Sequence, residues 1–275
     1  MSLKKKAPLL VKCLLLISVN FIMPAKFSSA ARMNNKISGI SSSLNSIPTL
    51  INNIPSSLKN IPSHRNKILS SLSPVFISMY NMLSLDSLGL SAEAFKEAIT
   101  GYQNMRNAGT VLNNAILSIV DFSLPSYKKR LFVLDMENGK LLFHTLVAHG
   151  RNSGQIYATR FSNRNRSHES SLGFYVTGET YNGQNGYSLR LLGMEHGFND
   201  NAYSRGIVIH SADYVNDEIS KTYGRLGRSE GCPAIPSDIH RSVIESIKNG
   251  TCFFVYGKDK RYANRSKLLK SARLS

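Results

Sequence analysis

The sequence predicts an α+β protein, mainly β, in which a short helical segment precedes a β-rich body. Two apolar runs, RLFVLDM and LLFHTLVAHG, flank Glu137-Asn138-Gly139-Lys140, and an Asn-Gly turn between such runs is a strong hairpin signal. SLGFYVTGETY, YSLRLLGM, RGIVIHSADYV and TCFFVYG add further runs rich in Val, Ile, Tyr and Phe. Clear helical patterning is limited to the stretch before Pro125 and to residues 237–249, which Gly250 would close.

In chain order, residues 1–30 read as an export signal. Lys4-Lys5-Lys6 is a positive start, Cys13 to Met23 an apolar core, and Ser28-Ser29-Ala30 a place for a peptidase to cut. That core is about half the roughly twenty residues a spanning helix needs, so cleavage is expected, with an uncleaved anchor as the alternative. Lys12 before Cys13 is too large for a lipoprotein cleavage site, so no lipid anchor is expected. Residues 31–73, rich in Ser and Asn, repeat Ile47-Pro48, Ile54-Pro55 and Ile61-Pro62 every seven residues. Proline at that spacing blocks a continuous helix, and the segment reads as a spacer.

Residues 74–124 form the helical segment, expected to pack on the following domain. Ser91 is a fitting N-cap for a helix whose Phe95, Ile99 and Tyr102 share a face, and Gly109 ends it. VLNNAILSIVDFS after it can be a helix or a strand. Residues 125–260 make up the β-rich body, and 261–275 a basic, solvated tail.

The chain of 275 residues carries 34 Lys+Arg against 17 Asp+Glu, a net +17. Such a charge favours an anionic partner: nucleic acid, a membrane surface or an anionic cell-wall polymer. The export signal argues against nucleic acid and leaves membrane contact only to the signal itself, if uncleaved.

Chemistry concentrates between Gly224 and Pro236, GRLGRSEGCPAIP, where three glycines and two prolines exclude regular structure and fix a tight loop. Cys232 between Gly231 and Pro233 has its thiol presented by rigid backbone. The N–H groups of Gly231 and Cys232 can face a developing oxyanion, each such donor being worth about 3–4 kcal/mol in acyl transfer. A thiol needs a base or a positive environment to become thiolate. Arg225 and Arg228 raise the local potential, and His210, at the exit of an apolar strand, is the candidate base. A half-buried structural histidine is the competing reading. Cys252 lies in an apolar strand, and in an exported protein a Cys232–Cys252 disulfide has to be weighed against a free nucleophile.

His149, in AHGRNSG, is a candidate for lining a cleft; His144, His196 and His240 read as structural or surface residues. No H-x-x-x-H or C-x-x-C pair occurs, which argues against a metal site. Gly183–Gly186 lacks a phosphate-loop lysine and reads as a turn.

IVIHSADYV followed by GRLGRSEGCPAIP resembles the murein L,D-transpeptidase catalytic family of YkuD type, with its strand-borne His and Ser-x-Gly-Cys. AFKEAITGY, IVDFSLPSYKKRLFVLDM, TLVAHGRNSG, SSLGFYVTGETY and GFNDNAY extend the likeness over most of residues 75–260. The resemblance implies a YkuD-like β-sandwich catalytic domain and an enzyme of the periplasm or cell envelope that acts on peptidoglycan peptide stems without metal or organic cofactor. Cys232 is similar to the acylated nucleophile, and His210 to its base, oriented by the backbone carbonyl of Ser211. Gly231 and Cys232 would supply the oxyanion donors, and Ser229 matches the serine that shapes the loop.

Two departures stand out. Glu230 occupies a slot where an aromatic or His is usual, and an acid there disfavours thiolate unless Arg225 or Arg228 offsets it. Pro233-Ala234 replaces the Arg or Asn often found after the Cys, so Arg225 or Arg228 becomes the candidate for binding a stem carboxylate. A hydrolase using the same thiol and a non-catalytic basic wall-binding protein are the competing functions.

Overall fold

The computed structural model describes residues 63–270, with the backbone alone at Ser63. The expected signal with Cys13, the spacer up to residue 62 and the last five residues of the tail lie outside the described residues. By its contacts the chain divides into residues 1–60 and 61–275, and the second unit is the one described.

Three helices come first: α1 (Ser63–Leu69), α2 (Pro74–Met82) and α3 (Ala92–Asn107). Ser91 caps α3 as expected, its extended backbone letting Oγ accept from Ala94 N at 3.3 Å. The same hydroxyl donates to Asp121 Oδ2 at 2.8 Å, which fixes the helix start to the sheet. Phe95, Ala98, Ile99, Tyr102 and Met105 are the buried stripe. Gly101 lets the helix settle on the sheet: a Cβ there would stand 2.0 Å from the Phe174 ring.

The strands are β1 (Ile116–Asp121), β2 (Leu131–Asp135), β3 (Lys140–Thr145), β4 (Gly173–Gly183), β5 (Gly186–Gly193), β6 (Val208–Ser211), β7 (Ala234–Ile235) and β8 (Cys252–Tyr256). The remaining helices are α4 (Asp217–Tyr223), α5 (His240–Ile247) and α6 (Lys260–Arg265). The predicted hairpin is β2–β3, closed by Gly139 at φ +60° and by Asp135, whose Oδ1 accepts from Glu137 N and Asn138 N. The ambiguous VLNNAILSIVDFS stretch contributes β1, buried at every position.

The eight strands hydrogen-bond in the order β3-β2-β1-β8-β4-β5-β6-β7. β1 pairs with β8 in parallel, while β1–β2, β4–β8, β4–β5 and β5–β6 are antiparallel. The sheet curls until its ends meet: beyond β3, Ala148 N donates to Ala234 O in β7 at 2.8 Å. α5 packs on β1 and also on β5 and β6, which only a curled sheet allows. α3 covers β1 and β8 from its own side. The expected α+β, mainly β architecture is therefore present, with its helical segment in front.

Two boundaries move. α1 lies inside the stretch read as spacer, and Leu69 and Leu72 join the main core. The stretch read as tail begins with α6, whose Tyr262 is fully buried and donates to Glu195 Oε2 at 2.7 Å. Among the described residues no helix is long and apolar enough to cross a membrane.

Candidate active site

Strand β6 ends in His210-Ser211 and runs parallel to β7, with His210 level with Ala234. This register places the loop that leads into β7, and with it Cys232, alongside the residues preceding His210. His210 is buried, and its Nδ1 lies 2.8 Å from Ser211 O. A carbonyl can only accept, so Nδ1 carries the proton and Nε2 keeps its lone pair. Burial presses the imidazole below its ordinary range, partly offset by that hydrogen bond, so the ring is held neutral.

The loop around the thiol is tied by Ser229. Its Oγ donates to Cys232 O at 2.6 Å and accepts from Gly231 N at 3.1 Å. Gly231 sits at φ +125°, and a Cβ there would come within 2.9 Å of Glu169 O, so glycine is required twice over. Gly231 N–H is thus committed to Ser229, which corrects the expectation of two free oxyanion donors. Among the described residues, Cys232 N–H is left without a protein acceptor.

Cys232 Sγ accepts from Val208 N at 3.5 Å and donates to Gly206 O at 3.5 Å. Both partners lie on the segment that leads to His210. Among the described residues the imidazole makes no direct hydrogen bond to the thiol; such bonds commonly tighten only when substrate binds. Burial pushes the thiol up, while Val208 N–H and the Arg205 guanidinium draw it down and Glu230 raises it.

The predicted cations do other work. Arg225 Nη1 donates to Leu226 O, and Arg228 Nη1 to Arg151 O and Gly154 O, so both brace backbone. Glu230 is offset by Arg151, at 3.0 Å, and by a contact with His168 Nδ1, not by Arg225 or Arg228. His149 is fully buried and lines no cleft. Its Nδ1 meets Arg130 Nη2 at 2.8 Å and its Nε2 meets Gly154 O at 3.3 Å. Burial first, then Arg130, pushes its pKa down to about 3, so it is a neutral structural link.

Cys232 and Cys252 are both free thiols, with no disulfide between them. Cys252 is buried in β8 with its sulfur 3.9 Å from Met105 Sδ, and burial raises its thiol far out of the reactive range. Among the described residues no three His, Cys, Asp or Glu side chains group as a metal site would require.

Sequence reasoning missed Arg205, Ser170 and Ser153. Ser170 Oγ donates to Gly231 O at 3.2 Å and accepts from Gly150 N, and Ser153 Oγ accepts from Ser170 N, so the long β3–β4 connection backs the nucleophile loop. Pairs of serines in a polar loop carry no local signal of such a role. A cavity of about 600 Å³ opens beyond the β6–β7 ends, lined among others by Ala212, Asp213, Pro236 and Ser237.

The loop into β7 thus presents the Cys232 thiol while the neighbouring strand β6 carries an oriented imidazole. The chain belongs to the L,D-transpeptidase catalytic domain family (YkuD_2), whose model matches residues 86–256, more than half its length. Solved structures that it resembles include an L,D-transpeptidase from Mycobacterium smegmatis: 13% identity, TM-score 0.33, covering 52% of this chain and 59% of that one. An L,D-transpeptidase from Stackebrandtia nassauensis shows 12% identity and a TM-score of 0.34, covering 71% of this chain and 90% of that one. The helical cell shape determining protein Pgp2 from Campylobacter jejuni shows 14% identity and a TM-score of 0.33, covering 58% of this chain and 57% of that one. This chain thus spans about three-fifths of the M. smegmatis protein. A search of curated proteins finds no match.

Proposed function

We propose that the protein is an exported, cysteine-dependent L,D-transpeptidase acting on peptidoglycan peptide stems in the periplasm or cell envelope. The observation that carries this reading is the seating of Cys232 Sγ against Val208 N and Gly206 O, on the segment that ends in an oriented His210. His210 Nε2 takes the thiol proton and sulfur attacks the carbonyl of the third stem residue. The oxyanion faces Cys232 N–H. On collapse the C–N bond to the terminal D-Ala breaks, and the imidazolium returns its proton to the leaving amine. An amine of a neighbouring stem then attacks the thioester, gives up its proton to His210 and releases Cys232. Because the thiol is raised by burial and the imidazole lowered, the resting pair is neutral, and proton transfer accompanies attack.

Incubation with tetrapeptide-containing peptidoglycan, followed by muropeptide mass spectrometry, tests the reading against a Cys232→Ala control. New cross-links between third residues support transfer. Shortened stems alone would assign the thiol to hydrolysis instead, and muropeptides identical to the control would leave only a wall-binding role.

A further inference from the structure

Arg205 stands just ahead of β6, and its guanidinium is half-buried. Nη1 donates to Ser162 O at 2.7 Å and also to Ser171 Oγ, while Nη2 donates to Ser167 Oγ at 3.1 Å and Glu169 O at 2.6 Å. All four acceptors are neutral oxygens of the β3–β4 connection, and among the described residues Arg205 makes no ion pair. The acids within reach are taken by others: Glu169 faces Arg160 at 3.6 Å, and Glu230 is shared by Arg151 and His168. Arg205 Nη2 lies 3.4 Å from the point where a Cβ on Gly231 would stand, so this cation abuts the residue before the nucleophile. Gly206 O and Val208 N, one and three residues further along the chain, are the two groups that hold Sγ.

On the reading of Cys232 as nucleophile, we infer that Arg205 is a positioning residue for the reaction. It supplies the counter-charge for the Cys232 thiolate and, by clamping the 162–171 segment, fixes the Gly206–Val208 cradle. A guanidinium suits both tasks, because its planar fork reaches several acceptors at once while its charge persists. The other groups that act on the thiol are Glu230 from its own loop, Tyr214 from the β6–α4 connection and His210 from β6. Burial and the charge of the thiolate itself keep the Tyr214 phenol protonated, its pKa pushed up to about 12. In the resting neutral pair Arg205 makes no ion pair among the described residues and feels Glu169 only at a distance; as sulfur loses its proton, an anion appears beside it.

The test is the pH dependence of iodoacetamide alkylation in the full chain, followed at Cys232 by peptide mass, with Cys232→Ala as blank. Arg205→Gln is expected to move the alkylation midpoint up by about one pH unit and to slow the reaction near pH 7 about tenfold. Arg205→Lys, keeping the charge without the fork, is expected to hold the midpoint near wild type while kcat falls and KM changes little. An unmoved midpoint in Arg205→Gln overturns the inference. If that variant does not fold, the wild type decides by its preference between reagents. Cys232 should favour anionic iodoacetate over neutral iodoacetamide several-fold more than a free cysteine peptide does, and an equal or lower ratio overturns the inference. The outcome separates from the functional reading. Shifted alkylation in an enzyme that leaves every stem untouched removes the transpeptidase reading and keeps the counter-charge, and an unshifted midpoint in an active enzyme does the reverse.

Discussion

At Cys232 opposing influences meet: burial and Glu230 favour the thiol, Val208 N–H and Arg205 the thiolate. Glu230 is largely exposed and already paired, so its share is small. Glu230→Gln should therefore move the Cys232 alkylation midpoint down by only a few tenths of a pH unit, both by removing an anion and by freeing Arg151 and His168; an upward move contradicts the assignment. His210 is the sharper case. Its folded pKa lies below the ordinary 6.5 because burial penalises the imidazolium, so the base stays competent as pH falls past that value. The acid limb of kcat/KM should have its midpoint below pH 6.5, and His210→Gln should cost about 10²–10⁴ in kcat. Both residues stand out in the sequence as candidates, because a Gly-Cys-Pro loop and a strand-end histidine are local patterns. The cation beside the thiol was not. Arg225 and Arg228 are near Cys232 in sequence but brace backbone, whereas Arg205 reaches the site through the β5–β6 approach to it, which no local spacing announces.

The β3–β4 connection depends on a hub that the sequence did not reveal. Arg130 is fully buried just before β2, donating to Val147 O from Nε and Nη2, to Leu124 O from Nη1 and meeting His149. Its removal strands one buried carbonyl, one partly buried carbonyl and a ring nitrogen. Arg130→Met should lower unfolding free energy by about 3 kcal/mol or more in chemical denaturation, whereas a loss under about 1 kcal/mol would mean that the hub is not structural. His149 looked like a cleft residue because His-Gly in a polar loop resembles one; only the arrival of Arg130 across the fold makes it interior. Helix α3 and the β2–β3 hairpin were legible from a cap, a face and a turn. β1 was not, because six consecutive buried residues show neither helical nor alternating period.

At the scale of the whole molecule, the sheet order places β8 between β1 and β4, so the last strand completes the centre. That topology rests on pairings such as Leu117 with Cys252, and the sequence could show the strands without showing their neighbours. The same closure explains the misread tail: beyond β8 the chain returns to seat Tyr262 against Glu195, and one tyrosine in a basic stretch is a weak signal. Tyr262→Ala should destabilise the protein by about 3–5 kcal/mol, since a fully buried ring is lost together with its bond to Glu195, and an unchanged melting temperature would return this segment to a mere tail. The central claim, that Cys232 carries the acyl group, is most directly tested by intact-protein mass spectrometry after brief mixing with a tetrapeptide-stem muropeptide and acid quench. The expected result is one added stem, less its terminal D-Ala, mapped to Cys232 and lost on Cys232→Ala; an adduct on Cys252, or none while stems are still processed, would contradict it.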